Sequence, residues 1–149
     1  LLVPSIQNFP IEYQRRVRLY SVNETNNAGI LEKIPNEQFG ICLVFNFFEF
    51  KPFEILKKYL TEIYQKLKPG GMLLMTYNDC DRAHCVALTE AHFTCYTPGS
   101  MVRALAKTIG FDEVYHWNDN GNLTWIELRK NGTLTSLRGG QTLAKIIPK

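Results

Sequence analysis

A strand–helix–strand unit in the middle of the sequence constrains the fold most. Residues 39–47 form a near-continuous apolar run, which is typical of strands that are buried on both faces of a parallel sheet. After Pro52, which suits the start of a helix, apolar residues recur at helical spacing up to Leu67. Residues 68–71 (Lys-Pro-Gly-Gly) then end the helix, and Met72 to Tyr77 is a second apolar run. Two buried strands joined by one helix predict a right-handed parallel crossover.

Further strands are predicted on both sides of this unit. Arg18 to Val22 alternates in a β-like way, and turn-forming residues follow it. Residues 98–109 predict a helix, because their apolar side chains fall on one face. Val114 to Trp117 and Leu123 to Leu128 flank the turn sequence 118–121 (Asn-Asp-Asn-Gly). We therefore predict an α/β domain whose mainly parallel sheet ends in an antiparallel hairpin.

Composition excludes several classes of protein. The net charge of +3, from 17 basic and 14 acidic residues, does not indicate nucleic-acid binding. We predict no membrane span, because no apolar run approaches the length of about 20 residues that one needs. We expect a cytoplasmic protein, because four cysteines are few for a disulfide scaffold and residues 1–4 have no secretory features. Residues 1–130 are predicted to form one partial domain, and residues 131–149 a polar tail.

Three segments resemble class I S-adenosylmethionine-dependent methyltransferases. Residues 36–50 resemble the segment around the fourth strand of that family, with its Asn-x-Phe-Glu pattern. Residues 60–76 contain Leu-Lys-Pro-Gly-Gly-Met-Leu-Leu and resemble the family's LKPGGxLLxT motif, while residues 109–114 resemble the Gly-Phe step into strand six. The resemblance implies a Rossmann-like sheet with strands three to five, followed by a hairpin of strands six and seven. The tail at 137–145 faintly resembles methyltransferase-like proteins of tailed cyanobacterial phages.

The family's strands one and two have no counterpart in this sequence. In the family, the first strand leads into a GxGxG loop that approaches the cofactor, and the second ends in an acid that binds the ribose. The close glycine pairs here, Gly70-Gly71 and Gly139-Gly140, do not join a suitable strand to a helix. We therefore expect the cofactor cradle upstream of Leu1. We also expect an N-terminal segment or another protein chain to cover the sheet edge that strand one would occupy.

Polar residues follow each predicted parallel strand, where ligands of α/β sheets bind. The resemblance implies cofactor contacts from Asn23, Glu24, Asn46 and Phe47. On the acceptor side it implies the candidate catalytic residues Asn46, Tyr77, Asn78 and Asp79. The simpler interpretation is that these positions are strand-ending turns and a solvated loop.

Residues 78–96 are predicted to be an irregular polar loop. Three cysteines and two histidines lie within it: Cys80, His84, Cys85, His92 and Cys95. Thiolates and imidazoles are zinc ligands, but this spacing lacks the close Cys-x2-Cys pair of a zinc knuckle. We therefore favour a loop with incidental thiols and predict no metal site. If residues 92–96 pack over the carboxyl edge of the sheet, they could form a lid above the acceptor pocket.

The resemblance implies methyl transfer from S-adenosylmethionine to an unknown acceptor. Methyl transfer would also require an upstream segment that holds the cofactor. The alternative is a non-catalytic methyltransferase-like module with a structural or interaction role, for instance as a component of a phage particle.

Overall fold

A computed structural model describes residues 8–15, 17–26, 28–119 and 123–133. Its secondary structure alternates between helices and strands, which confirms the predicted α/β class. The helices are α1 (Ile11–Gln14), α2 (Phe53–Lys66), α3 (Ala83–His92) and α4 (Gly99–Ile109), with a single 3-10 turn at Phe48–Phe50. The strands are β1 (Phe39–Val44), β2 (Leu67–Tyr77), β3 (Phe111–Asn118) and β4 (Thr124–Lys130).

The four strands form one sheet in the order β1-β2-β4-β3. β1 and β2 are parallel and are joined by α2, as the sequence predicts. β4 runs antiparallel to both β2 and β3, so the predicted hairpin is also present. The β1–β2 register shifts between Phe39 and Ile41, opposite the Lys-Pro-Gly-Gly stretch of β2. Proline has no N–H to donate and Gly70 has a φ of 73°, so regular pairing is interrupted there.

The prediction of a first strand at Arg18–Val22 is wrong. This segment has no strand structure, and it pairs with none of the strands in the described ranges. Its apolar side chains are exposed, namely Leu19, Tyr20 and Val22, and so is the preceding Val17. A strand needs a neighbour for its backbone N–H and C=O groups, and β-like alternation alone does not supply one. Among the strands that the structure describes, β1 and β2 are the one parallel pair.

Two helices cover one face of the sheet and form the core. Leu56 and Leu60 of α2 and Val102 of α4 are fully buried. They pack with the inward-facing side chains of the strands, among them Leu73, Met75, Tyr77, Ile126 and Leu128. The Glu62 carboxylate of α2 accepts hydrogen bonds from the backbone N–H groups of Ile30 and Leu31, at 2.8 and 2.6 Å, and holds the segment ahead of β1 against the core.

The structure also corrects the prediction for residues 78–96, since a ten-residue helix, α3, lies inside this stretch. Its apolar and polar residues do not separate into two faces, which is why helical periodicity does not reveal it. Cys85 and Thr89, four residues apart, are its buried members. The helix ends at Phe93, which has a left-handed φ of 54°. Within the described ranges, no helix combines the length and the hydropathy of a membrane-spanning segment.

Candidate functional site

A cleft of about 530 Å³ opens beyond the carboxyl ends of β1 and β2. This is the edge at which the sheet rule predicts a ligand. Two of the predicted site residues, Asn46 and Asn78, lie in it together, one after each strand. The lining residues are Asn46, Glu49, Phe50, Asn78, Leu88, His92, Thr94 and Leu123.

Asn46 lies at a sharp change of chain direction after β1. Its φ of 49° is left-handed, a conformation that asparagine adopts more readily than most residues. Its backbone N–H donates to the hydroxyl of Thr76, at 2.9 Å, which ties the end of β1 to the end of β2. Asn46 lines the cleft, whereas the next residue, Phe47, lines a groove along β1. The turn at Asn46 therefore separates two different surfaces.

Asn78 is held in one orientation by α3. Its side-chain NH2 group donates to the backbone carbonyl of Cys85 at 3.0 Å and to the Thr89 hydroxyl at 2.5 Å. Since the first of these partners can only accept, the nitrogen must face α3 and the amide oxygen must face away from it. That oxygen is buried and has no hydrogen-bond partner within the described residues. Asn78 itself lines the cleft, so this oxygen is an unpartnered acceptor at a cleft residue.

Glu49 is a site residue that the sequence interpretation missed. It belongs to the 3-10 turn, its side chain is only 4% exposed, and it lines the cleft. Both carboxylate oxygens are buried, and neither has a hydrogen-bond partner in the described part of the chain. The available signal was a single acid within the aromatic run at 47–50.

The segment after α3 forms one wall of the cleft, and its action as a lid stays a prediction. His92 and Thr94 line the cleft. The backbone N–H of Cys95 donates to the carbonyl of Glu49 at 2.7 Å, which fastens this wall to the 3-10 turn. The Thr94 hydroxyl is buried and has no partner among the described residues. Phe93, between the two lining residues, is 94% exposed.

Tyr77 and Asp79, both predicted on the acceptor side, do not line the cleft. The Tyr77 ring is fully buried in the core, and burial raises the pKa of its hydroxyl. The Asp79 carboxylate accepts hydrogen bonds from the backbone N–H groups of Gly99, at 2.8 Å, and Asp81, at 3.0 Å. It therefore caps the beginning of α4. Catalytic roles for these two residues stay predictions.

Two of the predicted cofactor-side residues, Glu24 and Phe47, both contact Lys51 and Tyr59 and therefore lie near each other. Glu24 accepts a hydrogen bond from the Tyr59 hydroxyl at 3.1 Å and forms an ion pair with Lys51 at 2.6 Å. The Lys51 ammonium lies 4.8 Å from the centre of the Phe47 ring, and Phe47 stacks edge-on against Tyr59. Lys51 lowers the pKa of the Glu24 carboxyl through this contact.

Asn23, the remaining cofactor-side candidate, makes a local turn. Its side-chain oxygen accepts hydrogen bonds from the backbone N–H of Thr25 at 3.1 Å and from the Thr25 hydroxyl at 2.8 Å. This is the turn of the simpler interpretation, although no strand precedes it. Asn23 also lines a small depression of about 160 Å³, which it does not share with Glu24 or Phe47.

An apolar groove of about 350 Å³ runs along β1. Among the described strands, β1 pairs with β2 alone, so its other edge has unpaired backbone groups. Leu43 is 55% exposed there. The surface has the form expected of a sheet edge whose neighbouring strand is not among the described residues. Among the described residues, no glycine-rich loop joins a strand to a helix.

The cysteines and histidines of residues 80–95 do not converge in the described structure. No three of its His, Cys, Asp or Glu side chains are grouped closely enough to hold a metal ion. Cys85 is buried, and its sulfur lies 3.5 Å from the Nε2 of the neighbouring His84. Cys80 contacts the Thr89 hydroxyl instead, at 3.4 Å.

Several solved structures share this fold at low sequence identity. An O-methyltransferase family protein from Burkholderia thailandensis is 13% identical, with a TM-score of 0.62 over 81% of this chain and 38% of its own. The S-adenosylmethionine-dependent methyltransferase SibL is 15% identical, with a TM-score of 0.59 over 81% of this chain and 40% of its own. An S-adenosylmethionine-dependent methyltransferase from Methanosarcina mazei is 12% identical, with a TM-score of 0.55 over 74% of this chain and 66% of its own. No protein-family model matches the sequence, and no curated protein matches it.

These structures identify the fold but cover more than this chain does. The chain spans 38% to 66% of the three proteins described above. Its strand order and antiparallel hairpin are those expected for strands four to seven of the family. The chain therefore has a partial Rossmann-like fold of the class I S-adenosylmethionine-dependent methyltransferase type.

Proposed function

We propose that this chain forms the acceptor side of a methyltransferase site. The observation that supports this most strongly is the position of the cleft. It lies beyond the carboxyl ends of β1 and β2, it contains Asn46 and Asn78, and it adjoins an open sheet edge. S-adenosylmethionine, when bound, supplies an electrophilic methyl group. The protein then needs chiefly to align the acceptor and to exclude water.

The residues of the cleft suit this task. The fixed amide oxygen of Asn78 can accept a hydrogen bond from the acceptor molecule, and the Asn46 amide can orient it from the neighbouring strand end. The wall at His92 and Thr94 bounds the cleft on one side, and the Cys95 N–H holds this wall against the 3-10 turn. Each of these contributions concerns binding and alignment.

We further propose that the cofactor cradle comes from an N-terminal segment or another chain that covers the open edge of β1. The exposed Leu43 and the apolar groove support this, since such an edge is rarely left uncovered. Glu24 and Phe47, which share the neighbours Lys51 and Tyr59, would contact the cofactor at this edge, and Asn23 would contact it from its separate depression.

The test uses the natural polypeptide at its full length. Intact mass and N-terminal peptide sequencing first show whether a glycine-rich segment precedes Leu1. Calorimetric titration with S-adenosylhomocysteine then measures cofactor binding, and transfer of radiolabelled methyl groups to a panel of small acceptors measures activity. We expect binding at micromolar concentration, and loss of transfer but not of binding in Asn78→Ala. Asn36→Ala, on an exposed surface outside the cleft, is the control and should behave like the wild type.

Absence of S-adenosylhomocysteine binding by the full-length protein would refute the proposal. The non-catalytic module would then be the working interpretation, and the open edge of β1 would be its contact surface.

A further inference from the structure

We infer that the cleft binds a protonated amine and that Glu49 is its counter-ion. The inference rests on the proposed function in one respect, since the amine would then belong to the methyl acceptor. It concerns the chemical class of the ligand, which the fold alone does not specify.

The environment of the Glu49 carboxylate is the first step of the argument. It is 4% exposed, and no Lys, Arg or His among the described residues lies within ion-pair distance of it. Neither oxygen accepts a hydrogen bond from the described part of the chain. A buried carboxylate without partners is costly, and folded proteins normally provide such a group with a cation or with hydrogen-bond donors. Since Glu49 lines a cleft, a ligand that enters the cleft can supply both.

The other polar groups of the cleft indicate what that ligand carries. The Asn78 oxygen and the Thr94 hydroxyl are also buried and have no partner among the residues that the structure describes, and both residues line the same cleft. With the two oxygens of Glu49, this gives four acceptor atoms and one negative charge. An ammonium group has three N–H donors and one positive charge, so it matches this set. A neutral hydroxyl offers one donor, and a carboxylate would be repelled.

The remainder of the cleft is apolar. Phe50, Leu88 and Leu123 line it beside the polar groups. The ligand class is therefore a small amine with an apolar stem, in which the stem contacts these three side chains and the ammonium faces Glu49.

The experiment measures binding of three matched probes to the full-length protein without cofactor. The probes are 2-phenylethylammonium, neutral 2-phenylethanol and anionic 3-phenylpropanoate, titrated by NMR chemical-shift changes at pH 7. We expect the amine to bind about tenfold or more tightly than the alcohol, because its hydrogen bonds are charge-assisted. The anion should not bind at this site.

Two variants then assign the preference to Glu49. Glu49→Gln keeps the shape but removes the charge, so it should abolish the preference for the amine, whereas Glu49→Asp should retain part of it. Glu54→Gln is the control, because Glu54 is an exposed acid in the first turn of α2. Equal binding of amine and alcohol by the wild type, or an unchanged preference in Glu49→Gln, would overturn the inference. Since no cofactor is present, failure here differs from failure to bind S-adenosylhomocysteine.

Discussion

The Asp79 carboxylate is predicted to stabilise the start of α4. Its side chain is buried and accepts hydrogen bonds from the N–H groups of Gly99 and Asp81. A Cβ at position 99 would displace this carboxylate, so the absence of a side chain there allows the contact. A hydrogen bond to a charged group contributes about 1.5–3 kcal/mol, so the loss of both in Asp79→Ala should cost about 3–6 kcal/mol. That is a large part of a typical domain stability of about 5–15 kcal/mol.

A second substitution at the same position separates the hydrogen bonds from the charge. Asp79→Asn keeps an acceptor oxygen toward Gly99 and loses only the interaction of the charge with the helix terminus, so it should cost about 1 kcal/mol. Urea denaturation followed by circular dichroism at pH 7 measures both variants, with Asp112→Ala, an exposed acid on β3, as the control. If Asp79→Ala unfolds within about 1 kcal/mol of the wild type, the capping argument is refuted. If Asp79→Asn is stable but inactive in methyl transfer, the predicted catalytic role is supported instead.

Three further changes test the core, the ion pair and the open edge. Leu60→Ala empties a fully buried site on α2 and should lower the free energy of unfolding by about 2–5 kcal/mol in urea; a loss under about 1 kcal/mol would contradict this packing. Lys51 lowers the pKa of Glu24, so their pair stabilises the fold above the unfolded pKa of about 4.3, and this stabilisation is lost as the pH falls through the lower folded value. In Lys51→Gln, the free energy of unfolding, measured in urea, should therefore depend less on pH in the acid range. The difference should be less than about 1 kcal/mol, because the pair is partly exposed. Leu43→Lys should reduce self-association of the 149-residue chain, measured by light scattering. A wild-type chain that is a uniform monomer would disprove self-association through the open edge of β1.

The parts of the fold that the sequence predicted are those whose pattern is local. The crossover between β1 and β2 follows from two apolar runs and one amphipathic helix, and the hairpin from a turn sequence between two short alternating runs. The prediction of a strand at Arg18–Val22 was wrong because the alternation of apolar and polar residues concerns side chains alone. A strand also needs a partner for its backbone N–H and C=O groups. Helix α3 was missed because it is buried at only two positions and has no apolar face.

The site could be predicted only from the rule that ligands of α/β sheets bind beyond the carboxyl ends of the parallel strands. That rule placed Asn46 and Asn78 at one edge, and both line the cleft. Tyr77 is the last residue of β2 and also lies at this edge. However, successive side chains of a strand point to opposite faces of the sheet, and Tyr77 lies on the core face with Met75. Glu49 could not be assigned from the sequence, since an acid among aromatics is usually solvent-exposed, and only the three-dimensional structure shows its burial.

The same buried carboxylate distinguishes a ligand-binding protein from a purely structural module. A structural module gains nothing from an acid that is buried without a partner, whereas a binding site retains such a group for its ligand at a cost in stability. Glu49→Leu should therefore raise the free energy of unfolding of the ligand-free protein, on the order of 1–4 kcal/mol, while the exposed Glu54→Leu should not raise it. Urea denaturation of the full-length protein measures both. A Glu49→Leu protein that unfolds more readily than the wild type would mean that the carboxylate has a structural partner, and the case for an amine site would fall with it.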